Sequence, residues 1–132
     1  MSPSKIIAQA VGRRKRAVAS VRLISGKSEI TVNGQPVAKY FPGLISQFQY
    51  QRPFTTLSLT KYSASVKVAG GGPASQLEAT VLALSKCLAS LKPEYKTSLR
   101  GADLLTRDSR KRQRRMVGMG GKSRRKRQSP KR

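Results

Sequence analysis

Residues 75–91 have the sequence SQLEATVLALSKCLASL, in which large apolar residues recur at the spacing of a helix. Those residues are Leu77, Val81, Leu84, Leu88 and Leu91. Ser75 and Glu78 match the S-x-x-E capping box, in which the two side chains occupy free backbone N–H groups at a helix start. Lys86 falls opposite the apolar residues, and Pro93 is suited to end the helix. The pattern predicts an amphipathic helix with one buried face.

Three other stretches have the composition and alternation of β-strands. Residues 6–11 and 17–24 are rich in valine, isoleucine and alanine, and residues 61–69 alternate between apolar and polar side chains. In the second stretch one face carries the apolar residues Ala19, Val21 and Leu23. Because side chains alternate between faces along a strand, this pattern predicts a small sheet that the helix covers.

Turn-forming residues predict how the second strand continues. Residues 25–28, Ser-Gly-Lys-Ser, predict a turn, after which residues 29–32 return as a short strand and form a hairpin with the second strand. Asn33-Gly34 is a strong turn signal, and it predicts the end of that return strand.

Proline positions shape the remaining predicted helices. Pro36 is suited to start a short helix that runs through Phe41. A second helical stretch covers residues 44–50 and is ended by Pro53, and residues 94–100 add a short helical turn. In this order the elements predict an α+β or mixed α/β domain, in which a small mixed sheet packs on helices.

The net charge predicts a polyanionic partner. The 132 residues include 28 Lys and Arg against 5 Asp and Glu, a net charge of +23. A free domain with this charge repels itself, whereas basic side chains that replace counterions on phosphates relieve the repulsion. A membrane is not expected as partner, because no stretch of about 18 apolar residues and no basic amphipathic helix is present. The N-terminus also lacks the apolar core of a signal peptide.

The charge is unevenly distributed along the chain. Residues 1–99 hold 14 basic and 3 acidic residues, or +11, and residues 100–132 hold 14 basic and 2 acidic residues, or +12. Apolar residues are almost absent after Thr106, so this part buries too little surface to offset the entropy of ordering. We therefore predict a folded anchoring domain over residues 1–100 and an extended basic tail over residues 101–132 that is disordered when free.

Residues suited to catalysis or metal binding are few. The chain has no His and a single Cys, Cys87, which we interpret as a packed core thiol. The five acids are scattered along the chain: Glu29, Glu78, Glu94, Asp103 and Asp108. Asp103 and Asp108 lie among arginines, which favours ion pairs over a general acid and base. The sequence predicts no enzyme, no cofactor, no metal site and no small-molecule substrate.

A glycine-rich turn, Gly70-Gly71-Gly72, precedes the main helix and has two interpretations. Glycine lets a backbone approach a phosphate closely, and a helix N-terminus favours an anion. The alternative is a flexible connection between strand and helix. No Gly-Lys-Ser or Gly-Lys-Thr follows, so the turn is not a nucleotide-binding loop.

Three basic clusters carry the strongest functional signal. They are Arg13-Arg14-Lys15-Arg16, then Arg110-Lys111-Arg112 with Arg114-Arg115, and Arg124-Arg125-Lys126-Arg127. A solvated charged surface explains them poorly because few acids lie between them, and a nuclear localisation signal would explain only the last cluster. Folded RNA is favoured over DNA, because no DNA-binding motif is present and the tail has no aromatic residue that could stack on bases. A nucleoid-like DNA-binding protein is the alternative.

These motifs, in this order, resemble the universal small-subunit ribosomal protein family number nine in its bacterial and organellar form. The resemblance is carried by Gly12-Arg13-Arg14-Lys15, Gly70-Gly71-Gly72 with Ser75-Gln76, Leu99-Arg100, Thr106-Arg107-Asp108-Ser109-Arg110 and Lys131-Arg132. It spans nearly the whole chain. It implies a small ribosomal β-α-β fold in the head of the small subunit, with ribosomal RNA and neighbouring ribosomal proteins as partners.

The resemblance and the basic clusters together indicate which residues contact RNA. The expected ligands of ribosomal RNA are Arg13, Arg14, Lys15, Arg16, Lys67, Gly70, Gly71, Gly72, Gln76, Arg100, Arg107, Arg110, Lys111, Arg112, Arg114, Arg115, Lys122, Arg124, Arg125, Lys126 and Arg127. Lys131 and Arg132 are expected to contact transfer RNA in the peptidyl site. The expected location is the ribosome, in the bacterial cytoplasm or inside an organelle, with the chloroplast stroma as the leading organelle.

Overall fold

The protein folds into a five-stranded sheet that is covered by helices. The computed structural model describes residues 5–118. In that range the elements are β1 (Ile6–Arg14), β2 (Ala17–Ser25), β3 (Thr31–Val32), β4 (Gln35–Pro36), α1 (Val37–Tyr40), α2 (Leu44–Leu57), β5 (Tyr62–Ala69), α3 (Pro73–Ala89) and α4 (Pro93–Gly101). The α+β class with a small mixed sheet on helices is therefore confirmed.

The order of the strands corrects the predicted hairpin. The order is β1-β2-β5-β3-β4, in which β3 runs parallel to β5 and the other neighbours are antiparallel. Residues 29–32 therefore do not pair with β2 as predicted. All eight residues of β5 pair with β2, and this longer ladder of alternating apolar side chains occupies the edge that the short return strand would have used. Only Thr31 and Val32 become strand, on the far side of β5.

Two local predictions around β3 and β4 are confirmed. Asn33 and Gly34 form the two-residue turn between these strands. The Asn33 side chain also joins β5, because its Nδ2 donates to the Val68 carbonyl at 3.1 Å and its Oδ1 accepts from the Val68 N–H at 3.0 Å. The short helix expected after Pro36 is present as α1, which begins at Val37.

The core lies between the sheet and α3. The inward side chains of β2 are fully buried: Ala17, Ala19, Val21 and Leu23. α3 packs against β1 and β2 and also contacts α2 and α4, so it is buried over more of its surface than one amphipathic face. Cys87 on α3 is fully buried, and its Sγ donates to the Val21 carbonyl at 3.7 Å. This burial confirms a packed core thiol, and it raises the pKa of the thiol to about 11.

The start of α3 differs from the predicted capping box. The helix begins at Pro73, two residues before Ser75, and its N-cap residue Gly72 makes no side-chain cap hydrogen bond. Proline is suited to the first helical position because its ring presets the backbone and it has no N–H to satisfy. Glu78 consequently does not cap the helix. Its carboxylate pairs with Arg14 of β1 instead.

The end of α2 also differs from prediction, because Pro53 lies inside the helix and does not end it. The proline is fully buried, so its packing offsets the loss of one backbone hydrogen bond. The helix ends at Leu57, and its C-cap residue Ser58 has a left-handed backbone and donates its N–H to the carbonyls of Phe54 and Thr55. The helical turn predicted over residues 94–100 is confirmed as α4.

Candidate nucleic-acid interface

Consecutive arginines of β1 point to opposite faces of the sheet. Arg13 pairs with Val18, whose side chain is exposed, whereas Arg14 pairs with Ala17, whose side chain is fully buried. Because alternate residues of a strand share a face, Arg13 lies on the open face of the sheet and Arg14 lies on the face that carries α3. The first basic cluster is therefore divided between two surfaces.

The open face of the sheet carries a second set of cations. Lys67 of β5 is exposed there, directly across from Ser20, and Arg22 of β2 lies across from Gln9. Arg13 is on the same face. Arg22 was not among the predicted RNA ligands. Arg22 alternates along β2 with buried residues, so its side chain lies on the other face of the strand. That alternation was the signal that could have identified it as an RNA ligand.

Four other cations meet in a cleft that three distant segments form. The cleft encloses about 830 Å³ and is lined by Lys15, Arg16, Gly71, Gly72, Ser75, Lys111 and Arg112. The first two belong to the β1–β2 turn, the glycines and Ser75 to the start of α3, and the last two to the tail. Six of these seven residues were predicted to contact RNA. No acidic side chain lines the cleft, so it is suited to phosphate groups.

The structure explains why glycines occur in the glycine-rich turn, a question that the sequence left open. Gly70 has a positive φ of 76°, and a Cβ atom there would lie 2.5 Å from the carbonyl oxygen of Arg16. Gly71 also has a positive φ, of 62°. These two glycines are required by the backbone, whereas a Cβ at Gly72 would meet no atom within 4 Å. The turn is thus a shaped connection, and Gly72 alone leaves open space beside α3.

Gln76 braces this turn from within the protein. Its Nε2 donates to the Gly70 carbonyl at 3.0 Å, and its Oε1 accepts from the hydroxyl of Tyr40 at 2.8 Å. The first turn of α3 has no acidic residue, so the start of this helix does not oppose an anion in the adjoining cleft. Gln76 therefore contributes by holding the cleft wall.

An ion-pair cluster joins the body to the tail beside the cleft. Arg14 pairs with Glu78 of α3 and, at 3.5 Å, with Asp108 of the tail, while its Nη1 donates to the Arg110 carbonyl at 3.1 Å. Asp108 also accepts from Arg110 Nη2 at 2.8 Å. Hydrogen bonds from the Arg110 side chain and backbone, with the Arg14 charge, hold the pKa of the Asp108 carboxyl well below its usual value.

The predicted ion-pair role is confirmed for Asp108. Asp103 forms no salt bridge within residues 5–118. Its positive φ of 59° places it instead in the turn after α4, where its N–H donates to the Arg100 carbonyl.

Other predicted RNA ligands lie outside the cleft. Arg100 is exposed on α4, and the side chain of Arg107 donates to the Asp108 carbonyl. Arg114 and Arg115 are exposed where the tail continues beyond the cleft. The remaining predicted ligands lie outside the described residues: Lys122, Arg124, Arg125, Lys126, Arg127, Lys131 and Arg132.

The first half of α2 presents a surface of a different kind. Leu44, Ile45 and Phe48 are between 73 and 76% exposed, and no charged residue occurs in residues 44–51.

Across residues 5–118 no three metal-ligating side chains come together, and none of the described helices has the length and apolarity needed to cross a membrane.

Comparison with known sequences gives a consistent result. The sequence model described as "Ribosomal protein S9/S16" matches residues 12–132. A protein of Maridesulfovibrio salexigens named "Small ribosomal subunit protein uS9" is 43% identical over 89% of this chain and 92% of its own length. Proteins of the same name are 41% identical in Phocaeicola vulgatus, over 85% of this chain and 88% of theirs, and 38% identical in Methylacidiphilum infernorum, over 86% and 84%.

Proposed function

Because the chain belongs to the ribosomal protein S9/S16 family, we propose that its cleft and tail bind ribosomal RNA in the head of the small subunit. The family membership makes the chain a structural constituent of the small ribosomal subunit in translation, with ribosomal RNA and ribosomal proteins as partners, and not an enzyme. The three relatives compared are bacterial, which supports a ribosome of bacterial type, in a bacterium or in an organelle such as the chloroplast.

The cleft is the observation that carries this proposal. Lys15, Arg16, Lys111 and Arg112 come from segments about a hundred residues apart, yet they surround one concave space that no acid lines. A concave, positively charged surface fits a bent phosphate backbone better than a straight duplex, and arginine can hold phosphate with two parallel hydrogen bonds. Arg13, Arg22 and Lys67 provide a second cationic contact area on the open face.

Affinity for RNA and for DNA tests this proposal. At about 0.15 M salt we expect the protein to bind a folded fragment of small-subunit head RNA at least about 100-fold more tightly than duplex DNA with the same number of phosphates. The salt is essential, because purely electrostatic binding is strong to either polymer when salt is low. Equal affinities at this salt would favour the nucleoid-like alternative, and filter binding at matched phosphate concentrations measures the difference.

The tail is proposed to reach beyond the body to the peptidyl-site transfer RNA. The support is its concentration of charge, since residues 100–132 carry half of the basic residues of the chain. The length also permits it, because 26 residues counted from Arg107 span at most about 86–94 Å when extended. The terminal pair Lys131 and Arg132 is assigned to phosphates of that transfer RNA.

Removal of residues 129–132 tests the tail assignment. We expect subunits to assemble almost normally but to bind peptidyl-site transfer RNA about 3- to 10-fold more weakly, because two phosphate contacts are lost. A double Lys122→Gln, Lys126→Gln variant removes the same charge and keeps the terminus, so its transfer RNA affinity should change less. Unchanged affinity in the truncated subunits, measured by filter binding, would contradict the assignment.

The uncharged surface of α2 is proposed to meet neighbouring ribosomal proteins of the head. Leu44, Ile45 and Phe48 offer apolar contact area, and a phosphate backbone gains nothing from a surface without cations. RNA and protein partners would thus use separate parts of the molecule.

A further inference from the structure

Arg14 occupies a position unlike that of any other residue in the first basic cluster. Its side chain is only 12% exposed, whereas Arg13, Lys15 and Arg16 are all exposed. Two of the five acidic residues of the chain, Glu78 and Asp108, pair with it. These partners belong to α3 and to the tail, so a single guanidinium connects three segments that lie far apart in the sequence.

We propose that Arg14 is a positioning residue, which fastens the start of the tail to the body so that Lys111 and Arg112 complete the cleft. This proposal rests on the proposed function of the cleft as an RNA-binding site. It assigns to Arg14 a role different from the direct RNA contact that the sequence predicted. It also assigns a function to Glu78 and Asp108, which otherwise only reduce the positive charge of an RNA-binding surface.

The hydrogen bonds of Arg14 require the shape of a guanidinium. Its Nε donates to Glu78, its Nη1 to the Arg110 carbonyl and its Nη2 faces Asp108. These three N–H groups point in fixed directions within one plane, which a lysine ammonium on a single nitrogen does not reproduce. The arrangement therefore holds the tail in one direction as well as at one place.

Asp108 prepares the tail for this contact. Its carboxylate accepts from the backbone N–H of Arg110 at 3.0 Å and from the Arg110 side chain at 2.8 Å. That local turn directs the Arg110 carbonyl toward Arg14. Lys111 and Arg112 follow immediately and line the cleft.

The carboxylates of Glu78 and Asp108 also reduce the electrostatic repulsion between the tail and the body. The tail and the body each carry a large positive charge, so they repel one another wherever no anion lies between them. Glu78 and Asp108 lie where the tail leaves the body and offset the charge of Arg14. An RNA that enters the cleft then meets a wall that is already in place, and less entropy is lost on binding.

Asp108→Asn separates this role from simple charge. The substitution makes the protein more positive by one unit, so a purely electrostatic account predicts equal or tighter RNA binding. We expect affinity for folded head RNA at about 0.15 M salt to fall about 5- to 10-fold, because the tail must be ordered during binding. Asp108→Glu, which keeps the carboxylate, should recover most of the affinity.

A distance measurement reports on the tail without RNA. Spin labels at Ser75→Cys and Ser109→Cys place one probe on the cleft wall and one on the tail, and buried Cys87 should stay unlabelled. We expect a narrow distance distribution in the otherwise unchanged protein and a broad one with Asp108→Asn or Arg14→Lys. If the distribution stays narrow, or if Asp108→Asn does not weaken RNA binding, the proposal for Arg14 is overturned. Failure of the proposed function would appear separately, as absent RNA preference in the parent protein.

Discussion

Gly12→Ala should destabilise the protein by about 3 kcal/mol or more, which is the largest effect that we expect from a single methyl group. Gly12 is buried where β1 crosses α3. A Cβ atom there would lie 2.2 Å from the Ala79 carbonyl oxygen and 2.6 Å from the Ala83 backbone nitrogen. Both contacts are with the backbone of α3, so no side chain can rotate away and the whole helix must shift. Because α3 packs on both β1 and β2, the shift disturbs the centre of the core.

Unfolding of the isolated protein in urea, followed by circular dichroism, measures this effect. Gly101→Ala is the matched control, because it adds the same methyl group in α4 where no atom lies within 4 Å. We expect the control to be neutral or slightly stabilising, since alanine is the better helix former. If the Gly12 variant were as stable as the control, the close packing of β1 on α3 would be wrong.

Local sequence patterns predicted the positions of helices and strands better than they predicted which elements pack or pair together. Alternation located β1, β2 and β5, and helical spacing located α3. The predicted partner of β2 was wrong because the true partner, residues 62–69, is more than 35 positions away in the sequence. The neighbouring residues 29–32 had the pattern of a strand and were predicted as the partner. The prediction that α2 ends at Pro53 was wrong for a similar reason, since the burial of this proline inside the helix depends on tertiary packing.

The candidate site was predicted in composition but not in geometry. Alternation along β1 could have separated Arg13 from Arg14, but the predicted strand ended at residue 11, so both seemed to lie in a loop. The local sequence around Glu78 matched a helix cap. In the structure Glu78 pairs instead with Arg14, which is 64 residues away in the sequence. Only three-dimensional proximity shows that the β1–β2 turn, the glycine-rich turn and the tail surround one cleft.

A triple variant of the cleft, with Gln at Arg16, Lys111 and Arg112, should bind folded head RNA about 100-fold more weakly at about 0.15 M salt. Each cation that replaces a counterion contributes to affinity, and three are removed from one concave surface. The three side chains are exposed, so stability should change by less than about 0.5 kcal/mol per substitution. Arg14 is kept in this variant because it holds the tail, and Lys15 is kept because its φ of 53° shapes the β1–β2 turn.

A control with equal charge makes this variant informative. Lys27, Lys39 and Lys96 are exposed and do not line the cleft. Their replacement by Gln lowers the net charge by the same three units. A protein that binds RNA through its net charge alone would lose the same affinity in both variants, whereas a protein that uses the cleft loses much more in the first.

The salt dependence of RNA affinity in these two variants tests the central claim, that the cleft holds the phosphates of folded ribosomal RNA. A plot of the logarithm of the binding constant against the logarithm of salt concentration has a slope that counts the phosphates contacted. We expect the magnitude of the slope to fall by about 2–3 in the cleft variant and by less than about 1 in the control. Equal slopes in the two variants would show that the cleft is not where the RNA binds.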